Sequence, residues 1–405
     1  MKLKALALGV ALAFPMMAQA QSSTSVTLYG VVDTGIEYVN NIAEYDTVID
    51  PISGNRVANQ RIGDSNSTHF TNLTQSWPSH WGLRGTEDLG NGLSAVFTLE
   101  SGFNTGTGTS GQGGRLFGRQ AFVGLKGDWG QVAFGRQYNM LMRSMLGADI
   151  LGPNAYGMGT LDDYIPNARM DNSITYMGNF SGVKFGAAYS RGRNVVAATP
   201  ANPAAGNCGV DYHDQSACSA WSVMAGYDTA NWGVAAGYDV LRGQGDRTAG
   251  TVNNWPGLDR DQKDRRWNIN GYVKFDAFKV GLIYLNRKND AGISNGAPGL
   301  AARSLGNRSD LWTLNASYQV SPAVVLDGAV NYMRFKDAAE SSKAWYYVAR
   351  ATYSFSKRTS VYGSAAYIRN TGLSNISAAG GTAPAPRPGA GENQTAVMVG
   401  LRHNF

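Results

Sequence analysis

The sequence predicts an all-β fold: a closed transmembrane antiparallel β-barrel of about sixteen strands. Three observations lead there. An exported leader is followed by no apolar segment long enough for a spanning helix, side chains alternate with a period of two in segment after segment, and very short connections alternate with very long ones. The composition agrees. Of 405 residues 43% are hydrophobic and 16% charged, which excludes a disordered chain, and 51 Gly and 20 Tyr with only 13 Pro favour many strands. The net charge of +6 is not gathered into any run of like charges, so nucleic acid is not an expected partner.

Residues 1–20 read as a secretory signal peptide: Lys2 and Lys4, an apolar stretch from Ala5 to Met17, then Ala18-Gln19-Ala20 as the small-polar-small cleavage pattern. A membrane anchor is the alternative, but the apolar core is shorter than the ~20 residues a spanning helix needs. The mature chain is expected to be one domain, 21–405. If it enters a membrane, it enters as strands.

Val26, Leu28, Val32, Ile36 and Tyr38 oppose Thr27, Tyr29, Asp33 and Glu37 in the first such strand. Trp267, Ile269, Gly271, Val273 and Phe275 stand against Arg266, Asn268, Asn270, Tyr272 and Lys274. Trp312, Leu314, Ala316, Tyr318 and Val320 repeat the pattern, as do Val397, Val399, Leu401, His403 and Phe405 at the end of the chain. A soluble sandwich alternates as well, so the connections decide. Tight turns (Asp88 to Gly92, Asp128 to Gly130, Asn179 to Gly182, Asp228 to Asn231, Ser321 to Ala323) take turns with long polar segments (Asn40 to Thr68, Met140 to Asp171, Gly192 to Ser216, Gly243 to Asp264, Ala291 to Arg308, Thr371 to Asn393). An outer-membrane barrel has this asymmetry because its two rims face different compartments. At roughly 24 residues per strand and loop share, the mature length gives about sixteen strands, with eighteen the alternative count. Tyr38, Trp81, Trp129, Trp232, Trp345 and Tyr353 fall near strand ends, where an interfacial girdle needs aromatic rings.

The run Gly106-Thr107-Gly108-Thr109-Ser110-Gly111 fits a dinucleotide fingerprint by letter, but no βαβ pattern surrounds it, and it reads as a loop. His69, His80, His213 and His403 show no paired-ligand spacing and no serine lies in a nucleophile elbow, so neither cofactor nor metal nor catalysis is expected. Cys208 and Cys218, close together in an exported chain, favour a small loop disulfide over a metal site that would have only His213 and Asp214 to add.

Four segments in order, VTLYGVVDTGIEYV from Val26, WGLRGTEDLGNGLSAVFTLESGF from Trp81, GRQAFVGLKGDWGQVAFGRQY from Gly118 and the terminal GLRHNF, resemble the trimeric general porins of Gram-negative bacteria, the β-proteobacterial branch above all. The resemblance runs from Val26 to Phe405. It implies a sixteen-stranded barrel in outer-membrane lipid, a homotrimer joined largely through its N-terminal strands, and a third external loop folded into the lumen. It also implies that Phe405, with His403 and Leu401 before it, is read by the barrel-assembly machinery.

For that loop, Met140 to Asp171, the residues add support: Gly147, Gly152, Pro153, Gly157, Gly159 and Pro166 let it turn, and Met145, Leu146, Ile150, Leu151 and Tyr156 give it an apolar side to lay on the inner wall. Alternation from His80 to Thr86 points Arg84 into the lumen. By resemblance, Arg119 and Arg169 are wall arginines, and His80 stands where relatives often carry another. Asp149, Asp162 and Asp163 on the loop would face them and set a transverse field. The function expected is passive diffusion of ions and small hydrophilic solutes, with weak anion preference. An adhesin or surface-display barrel and an outer-membrane enzyme are the alternatives, set apart by bilayer conductance.

Overall fold

The computed structural model describes residues 24–43, 45–49, 56–60, 70–152, 154–162, 168–192, 216–243, 261–290, 292–293, 305–336, 338, 341–380 and 385–405. Sixteen antiparallel staves close a barrel. They are β1 Ser25–Val39, β2 in two pieces (Phe70–Thr74 and His80–Gly90), β3 Leu93–Gly102, β4 Gln120–Gly127, β5 Gly130–Tyr138, β6 Arg169–Phe180, β7 Val183–Ser190 and β8 Ala220–Asp228. The remainder are β9 Trp232–Arg242, β10 Lys263–Phe275, β11 Phe278–Asn289, β12 Arg308–Ser321, β13 Val324–Lys336, β14 Lys343–Ser354, β15 Thr359–Thr371 and β16 Asn393–Asn404. Each pairs with its neighbours in sequence, and β1 pairs with β16 from Val31 opposite Asn404 to Val39 opposite Ala396, which closes the ring. A separate two-stranded hairpin, Tyr45–Ile49 with Arg56–Gln60, lies in the first long connection.

The break in β2 has a local cause. Pro78 has no N–H to donate to a ladder, and side chains take over between the two pieces: Asp33 Oδ1 accepts from Ser76 N at 2.8 Å, and Asp33 N donates to Ser79 Oγ at 2.9 Å. Asp33 also accepts from Tyr362 Oη at 2.7 Å and Arg402 Nε at 2.7 Å, so one fully buried carboxylate ties β1, β2, β15 and β16 together at the seam. At the other end of β2, Asn91 and Gly92 hold φ of 52° and 76°, the left-handed pair that a tight hairpin requires.

Period-two alternation sorts the side chains as expected. Val26, Leu28, Ile36, Val123, Phe134, Ile174, Ile269, Leu282, Leu314 and Val399 are exposed on the outer surface, while Asp33, Glu37, Asn268, Asn315 and Asn331 are buried on the inner one. Exposing that outer belt is tolerable only in lipid. Exposed aromatic side chains flank it: Trp129, Trp232, Phe275, Phe278, Tyr318 and Tyr353 toward the short-turn rim, and Tyr38, Trp221, Trp267, Trp312 and Trp345 toward the long-loop rim. Neighbouring rings meet across strands, Phe278 with Tyr318 at 4.3 Å and Tyr284 with Trp312 at 4.3 Å between centroids. Trp81 is half-buried instead, 6.2 Å from the Phe117 ring. Leu401, His403 and Phe405 lie exposed in one row on the outer face, and the Phe405 backbone exchanges two 3.1 Å hydrogen bonds with Gly30. Gly30 has no Cβ because the Phe405 ring occupies that space.

The all-β expectation missed short helical elements, a turn at Gly111–Gly114 and a 3-10 turn at Met158–Thr160 among them. A short helix, α1 Met140–Met145, opens the third long connection, capped by the Asn139 side chain accepting from Met142 N at 2.9 Å. The Gly106 to Gly111 run forms a turn, with Asn104 Oδ1 accepting from Gly106 N at 2.8 Å and from Thr107 N at 3.1 Å. Residues 1–20, Cys208 and Asp163 lie outside the described residues.

Candidate functional site

The lumen is shaped by the segment from Asn139 to Asp162, which makes a lap of the inner wall. Met140 N donates to Ser222 Oγ on β8 at 2.9 Å, Asn139 Nδ2 to Asp239 Oδ1 on β9 at 2.8 Å, and Ser144 Oγ accepts from Asn268 Nδ2 on β10 at 2.8 Å. Farther along, Ile150 N donates to Asn315 Oδ1 on β12 at 2.7 Å, and Ala155 N to Ser76 O beside the seam at 2.8 Å. A Cβ on Gly281 would collide with the Ala148 carbonyl, so this mid-strand glycine is what lets the loop backbone lie on β11.

The contact is a hydrophobic core. Leu141, Met145, Leu151, Tyr156, Met158 and Leu161 of the loop are buried with Ile283, Leu285, Leu311, Met333, Tyr346 and Ile368 of the wall. At roughly 1.5 to 3 kcal/mol per fully buried large side chain, this is ample to hold the loop inside a water-filled barrel. Tyr346 Oη donates to Ala378 O at 2.8 Å and ties the same core to the last long connection.

On the arc from β2 to β6 lies the basic cluster. Arg84 is exposed to the lumen, its guanidinium carbon 5.2 Å from the centre of the Tyr29 ring. Tyr29 Oη donates to Glu100 Oε2 at 2.9 Å, and Glu100 Oε1 accepts from Arg119 Nε at 2.5 Å. Arg119 and Arg169 both donate to Tyr138 Oη, at 3.1 and 2.9 Å, and the Arg169 guanidinium carbon is 4.7 Å from the centre of that ring. His80 stacks edge-on to Tyr29 at 6.4 Å, and its Nδ1 lies 2.8 Å from Pro78 O, so that nitrogen carries the proton. The four basic residues named from sequence are therefore joined through Tyr29, Glu100 and Tyr138, which sequence reasoning did not single out.

One detail differs from expectation. Arg169 is the first residue of strand β6, and Arg119 and Arg169 are buried, 7% and 3% exposed, so of the three wall arginines Arg84 alone is open to the lumen. The acidic side differs more. Asp162 is buried in a bidentate pair with Arg266, Nε at 2.8 Å and Nη2 at 3.1 Å, and Arg266 also meets Asp264, itself held by Arg287 at 2.8 Å. Its charge is matched at the wall and it anchors the loop instead of facing the arginines. Asp149 accepts from Gly152 N at 3.1 Å; burial pushes its carboxyl up to about 6 against the pull of that hydrogen bond and of Arg350 and Lys279. Burial likewise lowers the Arg143 guanidinium from its ordinary value.

Most other carboxylates on the inner wall are paired: Asp171 with both Arg115 and Arg136, Asp228 with Lys184, and Asp327 with Arg350 at 2.7 Å. Two arginines on one aspartate leave a positive excess at Asp171. Cys218 is buried and disulfide-bonded.

A family model described as Gram-negative porin matches residues 5–373. An outer membrane porin protein of Bordetella pertussis is 30% identical over 410 residues, spanning 95% of this chain and 96% of its own length. Outer membrane porin protein 32 of Delftia acidovorans is 29% identical over 403 residues, spanning 95% of each. Among solved structures, the anion-selective porin from Comamonas acidovorans superposes with a TM-score of 0.68 at 24% identity, over 95% of this chain and all of that one.

Proposed function

The chain belongs to the Gram-negative porin family, and from that premise, which makes it a passive diffusion channel of the outer membrane, we propose that its pore passes small hydrophilic solutes and ions with a weak preference for anions. The observation that carries the preference is charge matching on the inner wall. Glu100, Asp162, Asp171, Asp228 and Asp327 each have a basic partner, whereas Arg84 is exposed in the lumen with no ion pair among the described residues. A cation entering the pore meets these five acids already matched, whereas an anion meets an unpaired guanidinium in a narrow water column with low-dielectric walls. The Comamonas protein, called anion-selective, offers a parallel from a shared fold.

The reversal potential under a KCl gradient tests this. The wild type should be weakly anion-selective and Arg84→Ala less so. Arg119→Ala should shift further toward cations, because it leaves Glu100 charged without its partner. A cation-selective wild type, or no shift in Arg84→Ala, would overturn the assignment.

Assembly follows from wall height. Strands β4, β5, β7 and β8 have 8, 9, 8 and 9 residues, at or below the lower end of the ~9 to 11 that a tilted strand needs to cross lipid. We place the homotrimer contact there, with the family's N-terminal strands, so that this side of the barrel faces protein. Cleavage after Ala20, pairing of Cys218 with Cys208, and use of Leu401, His403 and Phe405 by the assembly machinery complete the proposal.

A further inference from the structure

Beneath α1, at the short-turn end of the lumen, lies a cavity of about 420 Å³. Its floor is apolar, formed by Leu146 and the inward-facing Met177, Met224 and Tyr272. Leu146 is 56% exposed, an aliphatic side chain left bare in a lumen where the rest of the loop's large apolar groups are covered. Arg143 and Lys126 also line the cavity.

Arg143 sets this cavity apart. Its side chain makes no ion pair among the described residues, and the hydrogen bond it does make there, Nε to Tyr138 O, is 3.5 Å long. The residue is partly buried, which lowers the guanidinium from its ordinary value, and no carboxylate among the described residues is paired with it, so its charge is open to a ligand entering from the cavity. Its place in the last turn of α1 accounts for a basic residue there through the helix dipole, but not for the apolar chamber beside it.

We propose that this cavity is a binding subsite for organic monocarboxylates with an aromatic or branched apolar body, the carboxylate meeting Arg143 and the hydrocarbon lying over Leu146, Met177 and Met224. The proposal rests on the channel reading above, since the ligand reaches the cavity through the lumen. Charge fixes the class. Three cations on the lining, Lys126, Arg143 and Lys184, stand against two carboxylates, Asp128 and the Asp228 that Lys184 holds, so the excess is one positive charge, which matches a single negative charge better than a dianion such as phosphate. The volume falls in the range of small-ligand sites, and an apolar floor with polar and charged groups converging at its edge is their usual chemistry.

The test is equilibrium binding of phenylacetate to the folded, detergent-solubilised protein, beside its uncharged analogue 2-phenylethanol, with channel formation assayed on the same preparation. Wild type should bind phenylacetate saturably and the alcohol at least about tenfold more weakly, the size expected for one charged hydrogen-bond pair. Arg143→Gln should lose about tenfold in affinity, and Ala235→Leu, which fills the inner face of the cavity without touching its charge, should lose a similar factor. Conducting channels that bind no phenylacetate, or that bind acid and alcohol alike, would overturn the subsite while leaving the porin reading intact. Unaltered affinity in the Ala235→Leu variant would do the same even where Arg143→Gln does not fold. A preparation that binds but never conducts would sink the porin reading instead.

Discussion

Two walls of one barrel use the same alternation for opposite ends. The low wall, the arc from β2 to β7 that includes the 8- and 9-residue strands β4, β5 and β7, gathers Arg84, Arg119, Arg169 and His80 around Tyr29, Glu100 and Tyr138, most of them on the longer strands β2, β3 and β6 that flank the short ones. The tall wall, 11 to 14 residues per strand from β9 to β14, turns apolar groups inward under the loop and reserves its charges for anchoring it. An inward position in a barrel is therefore not a wet position. What decides is whether the loop covers it, so the pore is a gap between one wall and a second surface built on the other.

The largest break in this comparison comes from removing that surface. Deleting Gly147 to Gly159 uncovers Ile283, Leu285, Leu311 and Met333 and removes no residue of the basic cluster, although it takes away the contacts of Asn154 and Ala155 with Ser76 in the break of β2. Single-channel conductance in KCl should rise more than for any point substitution, with the anion preference diluted by the wider water column. An unchanged conductance in a correctly assembled protein would mean that the loop does not limit the pore.

A smaller, more local break removes the anchor. Arg266→Ala leaves Asp162 and Asp264 buried with their shared partner gone, a change of about 3 to 5 kcal/mol when one member of a buried pair is lost. Arg287 remains on Asp264, so the cost should fall chiefly on Asp162 and the loop. Lower resistance to heat denaturation in detergent, together with flickering of the open current, is the expected outcome. A variant as heat-resistant and as quiet as the wild type would show that the apolar core alone holds the loop.

Much of this was legible in the sequence. The period of two separated lipid-facing from lumen-facing side chains, and the alternation of short and long connections gave the strand count and the common side of the long loops, because both follow from local geometry. Arg84 could be aimed inward on the same ground. What alternation cannot carry is pairing across the lumen: nothing in the local pattern around Asp162 indicates that Arg266, 104 positions away, neutralises it. The six residues of α1 were hidden because one and a half turns give too little periodicity to register. One unused signal was available. A glycine in the middle of a tall strand, such as Gly281, marks where another backbone comes close, and it would have pointed to the path of the loop.

The finest distinction between the walls is their response to acid, and Asp149 sets its sign on the tall side. Burial pushes this carboxyl up to about 6 from an ordinary 3.8, so the docked loop holds a proton that the undocked loop would release. A raised carboxyl favours docking fully below the lower value and loses that contribution as pH rises through the higher one. Docking should be tighter at about pH 5 than at about pH 7, with Gly152 N–H, Arg350 and Lys279 limiting the loss by stabilising the ionised form. The expected record is a quieter, slightly smaller single-channel current at the lower pH. His80 on the low wall is another titratable group at hand, so conductance alone would not assign the effect. Asp149→Asn separates the two: it should fix the loop in its low-pH behaviour at both values while leaving any response of His80 in place. A wild type whose current noise ignores pH over this range, or an Asp149→Asn channel with the full wild-type response, would remove Asp149 from the control of the loop.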